Sequence, residues 1–98
     1  MTFALLFTQQ AHRDLDRLDE DATFAKRRKA VHKALRLLQM NPRHPGLNTH
    51  KYHSLKGPRG EEVFEAYAEN RTAAAYRIFW HYGPGQTNLT ILAITAHP

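Results

Sequence analysis

The apolar positions of the C-terminal half alternate. In Ala73 to Tyr82 the even positions Tyr76, Ile78, Trp80 and Tyr82 are large and wholly or partly apolar, while Arg77 and His81 stand among the odd ones. Successive side chains of a strand leave opposite faces, so this pattern predicts a strand with one aromatic face for a core and a second face presenting Arg77, Phe79 and His81. VFEAYAEN before it and LTILAITAH after it read as strands too, which gives three in succession from Glu61 onward. An ordinary half-buried strand with a merely wet polar face has the same signature.

The N-terminal half follows the helical period. TFALLF reads as a first strand, and Thr8 as the N-cap of a helix from Gln9 to about Glu20 whose Ala11, Leu15 and Leu18 form an apolar stripe. Asp14, Asp16, Asp19 and Glu20 sit mostly off that stripe. DEDAT marks a break, with Asp21 or Thr23 placed to cap a second helix that runs to about Met40 and stops at Asn41-Pro42. Its apolar side is Phe24, Arg27, Val31, Leu35 and Leu38, and Lys26, Lys29, Lys33 and Arg36 mark another side. NPRHPGLNTH is a loop, HKYHSLKG a short strand closing in the turn GPRG, and Asn70-Arg71-Thr72 and GPGQTN are hairpin connections. The order is strand, helix, helix, four strands. It predicts a single α+β domain over 1–98 with the helix pair on one face of an antiparallel sheet and the other face available.

Charge changes this picture by its distribution. The net charge is +5, and from Lys26 to Arg59 there are ten Lys or Arg and four His with no Asp or Glu. Such a block attracts polyanions, a nucleic acid or an acidic protein. Lys26, Lys29, Lys33, Arg36, Arg43, Lys51 and Lys56 are the candidate RNA contacts within it. Cysteine is absent, which removes disulfides and thiolate chemistry and fits a reducing compartment. TFALLF is too short to span a bilayer. The expectation is a soluble cytoplasmic protein.

If Ile78, Trp80, Leu92 and Ile94 point to the helices, Arg77 and His97 share the open face. If Phe64, Ala66 and Ala68 do so, Glu65 and Tyr67 join them. On the short strand, His50 and Tyr52 go outward if Leu55 draws Lys51 and His53 inward. A guanidinium, imidazoles, a carboxylate and a phenol suit phosphate chemistry without a metal, since Arg holds anionic oxygens while His or Glu moves protons. Each has a structural alternative: Arg77 as a cross-strand ion pair with Glu65, His97 as a frayed end, Glu65 and Tyr67 as packing partners. His50 and His53 alone lack the further spaced ligands of a zinc signature.

The order of elements, together with NPRHPGL leading to HSLKG, then EAYAEN, AAYRIFWHYG and ILAITAHP, resembles the RelE/ParE superfamily of toxins from bacterial toxin-antitoxin pairs over essentially the whole chain. The most specific parts are the LKG turn at Leu55 to Gly57, the YRIFW strand at Tyr76 to Trp80, and His97. The resemblance implies a ribosome-dependent endoribonuclease that cuts mRNA without metal or cofactor by attack of the 2′-hydroxyl on the adjacent phosphate. It implies an acidic antitoxin, the ribosome and mRNA as partners. Arg77 matches the family's phosphate-contacting arginine, and His97 the penultimate histidine of YoeB-like members. Elsewhere the chain departs from the pattern. Glu65 and Tyr67 stand where RelE carries lysines, and Thr49, His50 and Lys51 lie nearest the YoeB-like general-base Glu. Pro98 stands where those toxins have Tyr. The second proton-transfer group is therefore Glu65 or His50. ParE-like gyrase inhibitors share the fold and lack the nuclease set, and a basic binding module without activity is a third class.

Overall fold

The computed structural model describes residues 2–97, so Pro98 lies outside the described residues. The elements are β1 (Ala4–Phe7), α1 (Gln9–Glu20), α2 (Ala25–Met40), β2 (His50–Lys56), β3 (Glu62–Tyr67), β4 (Tyr76–Tyr82) and β5 (Asn88–Ala96), with 3-10 turns at Ala22–Phe24 and Pro45–Leu47. One five-stranded sheet has the order β1-β5-β4-β3-β2. β1 runs parallel to β5 and the other pairs are antiparallel, so the α+β sheet is mixed.

Thr8 begins α1 as expected: its hydroxyl accepts from Ala11 N at 3.1 Å, satisfying one of the orphan donors of the first turn. Asp21 does not cap α2 itself. It accepts from Thr23 N at 2.9 Å and caps the 3-10 turn that leads into α2, whose own N-cap, Phe24, makes no side-chain bond. The acidic and basic helices are joined where Asp19 meets Arg28 and His32, each at 2.9 Å. Those contacts, the His32 hydrogen bond first, hold the Asp19 carboxyl below its ordinary pKa.

Ala11, Leu18, Val31, Leu35 and Leu38 from the helices meet Ala66, Ile78, Trp80, Leu89, Ile91 and Ile94 from the sheet in one core. Trp80 is 1% exposed and stacks on Phe64 with ring centroids 5.0 Å apart. Arg27, which lies on the apolar side of α2, is neutralised there: Nε donates to Glu69 Oε1 at 2.7 Å while the guanidinium covers the Tyr76 ring.

Strict alternation fails on β5. Phe79 pairs with Ala93 but Trp80 pairs with Ile91, so Leu92 is an extra, bulged residue and Ile91, not Leu92, joins Ile94 in the core. β1 pairs with β5 only as far as Ile91, and beyond it α1 supplies the partners. The Thr8 hydroxyl donates to Leu92 O at 2.9 Å, and Asp14 Oδ2 accepts from Ile94 N at 2.9 Å. Asp14 is thus buried, although helical spacing puts it off the stripe, because a backbone N–H on a strand edge needs an acceptor.

The face opposite the helices is not left bare. Tyr52 packs edge-on against Phe79 at 4.9 Å, and Phe79 and His81 are both buried. β2 loses register after Lys51, which leaves Leu55 44% exposed instead of drawing it into the core. The turn after β2 is tight: Gly57 N donates to Glu61 O at 2.9 Å, and a Cβ on Gly57 would lie 2.9 Å from that of Glu61. Backbone N–H groups of Glu61 and Arg59 lower the Glu61 pKa.

Candidate active site

Cross-strand register brings the five candidate residues together. His50 stands opposite Glu65, and Tyr67 opposite Arg77, on three adjacent strands. His97 follows β5 and is tied down by its N–H, which donates to Ala75 O at 3.1 Å, so it is not frayed at this point. Glu65 is the centre. Its side chain is fully buried, contrary to the open-face expectation, and both oxygens are engaged: Oε1 with His50 Nε2 at 2.8 Å, Oε2 with His97 Nδ1. Arg77 Nε lies 3.7 Å from Oε2, an ion pair too long for a hydrogen bond.

Arg77 is held by other means. Its Nη1 donates to Glu69 O at 2.6 Å, and its guanidinium carbon sits 3.7 Å from the centroid of the Tyr67 ring. The Tyr67 ring therefore serves as a platform for the cation. Nε is buried without a hydrogen-bond acceptor among the described residues. A guanidinium fixed on one side and underused on the other is suited to gripping an oxyanion.

The two imidazoles differ. Both ring nitrogens of His50 face acceptors, Glu65 Oε1 and Asn48 O, the latter at 3.2 Å from Nδ1. His97 turns Nδ1 to Glu65, and a proton there leaves Nε2 as a lone-pair acceptor on a half-exposed ring. Asn48 and Glu69 contribute through backbone carbonyls, which carry no side-chain signal in a sequence. The left-handed φ of 46° at Asn48, a conformation asparagine tolerates, turns its carbonyl to His50 and is the one trace that could have been sought.

All seven candidate RNA contacts are exposed, but they do not form one patch with this cluster. Lys29 and Arg36 line a groove with Arg28 and His32 on α2. Lys26 lies by Arg27 and Glu69, and Lys33 lines a depression with Tyr67 and His44. Arg43 and Lys51 share a cleft with His50, and Lys56 pairs with Glu62 at 3.1 Å. Lys56 also lowers the Glu62 pKa. No helix among the described residues is long and apolar enough to cross a membrane.

No protein-family model and no curated protein sequence matches the chain. Solved structures do. A YoeB/ParE toxin from Agrobacterium tumefaciens superposes with TM-score 0.70 at 18% identity, over 98% of this chain and all of that one. The YoeB dimer structure from Staphylococcus aureus gives 0.66 at 15% over the full length of both chains. The archaeal RelE in the RelE-RelB complex from Pyrococcus horikoshii OT3 gives 0.65 at 15%, over 98% of this chain and 96% of that one. The fold of this chain is the one shared by these YoeB- and RelE-type toxin structures.

Proposed function

We propose that this protein is the toxin of a toxin-antitoxin pair, an endoribonuclease that cuts mRNA on the ribosome and is restrained by an acidic antitoxin. The observation that carries this reading is the convergence of Arg77, His50 and His97 on the buried Glu65, with Tyr67 beneath the guanidinium. Arg77 grips the non-bridging oxygens of the scissile phosphate, where negative charge grows in the transition state. His97 Nε2 takes the proton from the 2′-hydroxyl as the new O–P bond forms. His50, as imidazolium, gives its Nδ1 proton, released from the 3.2 Å contact with Asn48 O, to the 5′-oxygen as its bond to phosphorus breaks, leaving a 2′,3′-cyclic phosphate and a 5′-hydroxyl. Glu65 has both oxygens occupied and no exposure, so it is a positioning residue for the two rings.

The test is single-turnover cleavage of ribosome-bound mRNA by wild type, Arg77→Ala and His97→Ala, with and without EDTA. Each variant is expected to fold, to bind antitoxin and to lose about 10² to 10⁴ in rate. Undiminished cutting by either variant removes that residue from the scheme. Loss of wild-type cutting in EDTA, with ribosomes intact, removes the metal-free scheme, and inhibition of DNA gyrase without RNA cleavage assigns the chain to the ParE-like activity.

A further inference from the structure

A second concavity lies between the loop before β2 and the helix-facing side of β3 and β4. It is a cleft of about 590 Å³ with Phe64, Trp80 and Tyr82 on one wall and Arg43, His44 and Lys51 about its rim, and no Asp or Glu lines it. The aromatics form one group: Tyr82 stands edge-on to Phe64 at 5.7 Å and to Trp80 at 4.9 Å, and is itself 40% exposed. Trp80 is buried, yet its Nε1–H has no hydrogen-bond acceptor among the described residues.

An aromatic wall and a cationic rim without an acid together suit a flat anionic ligand. A nucleotide meets both: its base packs on Tyr82 and Phe64, and its phosphate lies between Arg43 and Lys51. The volume is that of a small-ligand site, enough for one nucleotide and too confined for a helix. His50 connects the cleft to the Glu65 cluster, since it lines the one and bonds to the other.

We infer that this cleft is a base-binding subsite that takes one unpaired nucleotide of the RNA flanking the scissile phosphate and sets the base preference of cutting. The placement beside a scissile phosphate rests on the nuclease reading above, whereas nucleotide binding can be measured apart from it. Trp80 is the only tryptophan of the chain, so its fluorescence and its single indole N–H resonance report on the cleft directly. Titration of the full chain with each of the four 5′-ribonucleoside monophosphates is expected to give saturable shifts of unequal affinity, and inorganic phosphate at the same concentrations none. Arg43→Ala and Lys51→Ala, both at exposed positions, should weaken binding about threefold to tenfold by removing a phosphate contact. Tyr82→Ala should weaken it about tenfold by removing a stacking face, and should alter which bases flank the cut sites. Shifts produced by an acidic aromatic peptide but not by nucleotides overturn the inference and give the cleft to a protein partner. A nucleotide response unchanged in all three variants, or no response at all, overturns it as well. A chain that cuts RNA but binds no mononucleotide refutes the subsite alone, and one that binds mononucleotides but cuts no RNA refutes the nuclease reading and keeps the nucleotide site.

Discussion

The two faces of the β3–β4 pair are made from alternate residues of the same strands, and they are held by different forces. Toward the helices, Ala66, Ile78 and Trp80 are buried by apolar contact, which is non-directional and tolerates repacking. On the other side Glu65, just as deeply buried, is surrounded by His50, His97 and Arg77, groups that a charge satisfies only at defined distances. One face supplies stability; the other stores preorganisation. Replacing side chains on the two faces should therefore damage different properties.

The largest effect on folding belongs to the apolar face. Trp80→Ala should lower unfolding free energy by about 3 to 5 kcal/mol, the range for emptying a buried aromatic site. Denaturant melts that match wild type would show that the core does not rest on this residue. Glu65→Ala comes next. It leaves Arg77 and two imidazoles without their carboxylate, and should cost about 2 to 3 kcal/mol. It should also abolish most cleavage, because His97 and His50 lose their orientation. A variant as active as wild type would contradict the positioning role.

Asp14→Ala tests the seam between helix and sheet. It strips the acceptor from Ile94 N and should cost about 1 to 2 kcal/mol, read by thermal melting and by faster amide exchange at Ile94. The smallest effect is Asp19→Asn. The Asp19 pKa is lowered in the folded state, so its contribution is present above its ordinary value of about 4 and is lost as pH falls through the lower folded value. The group is more than a third exposed, so solvent screening should keep the loss at pH 7 within about 0.5 kcal/mol, and the difference from wild type should vanish in acid.

Much of this is legible in the sequence alone. The parity of Tyr76 to Tyr82 puts Trp80 and Arg77 on opposite sides, and the Thr8 cap and the Pro-rich loop fix where elements begin and end. What escaped has physical reasons. A bulge such as that at Leu92 shifts phase by one residue and is decided by a neighbouring helix, not by local composition. Asp14 reads as a surface acid because helical periodicity does not reveal that a strand edge needs an acceptor there. Glu65 reads as exposed because alternation tells the side of the sheet but not that His50, His97 and Arg77 close over the carboxylate there. The candidate site was legible as a set of side chains on one face. The asymmetry of its two imidazoles was not, since it depends on the carbonyl of Asn48.

The parallel pairing of β1 with β5 couples Leu5 to Leu89 and Phe7 to Ile91, nearly the full length of the chain apart. During synthesis, β1 and α1 emerge first and wait for a partner strand that is made after every other described element. Such long-range closure makes for slow folding. A nascent chain that has not yet released β5 lacks both the strand that joins β1 to β4 and His97, so the Glu65 cluster is completed only after β5 has emerged.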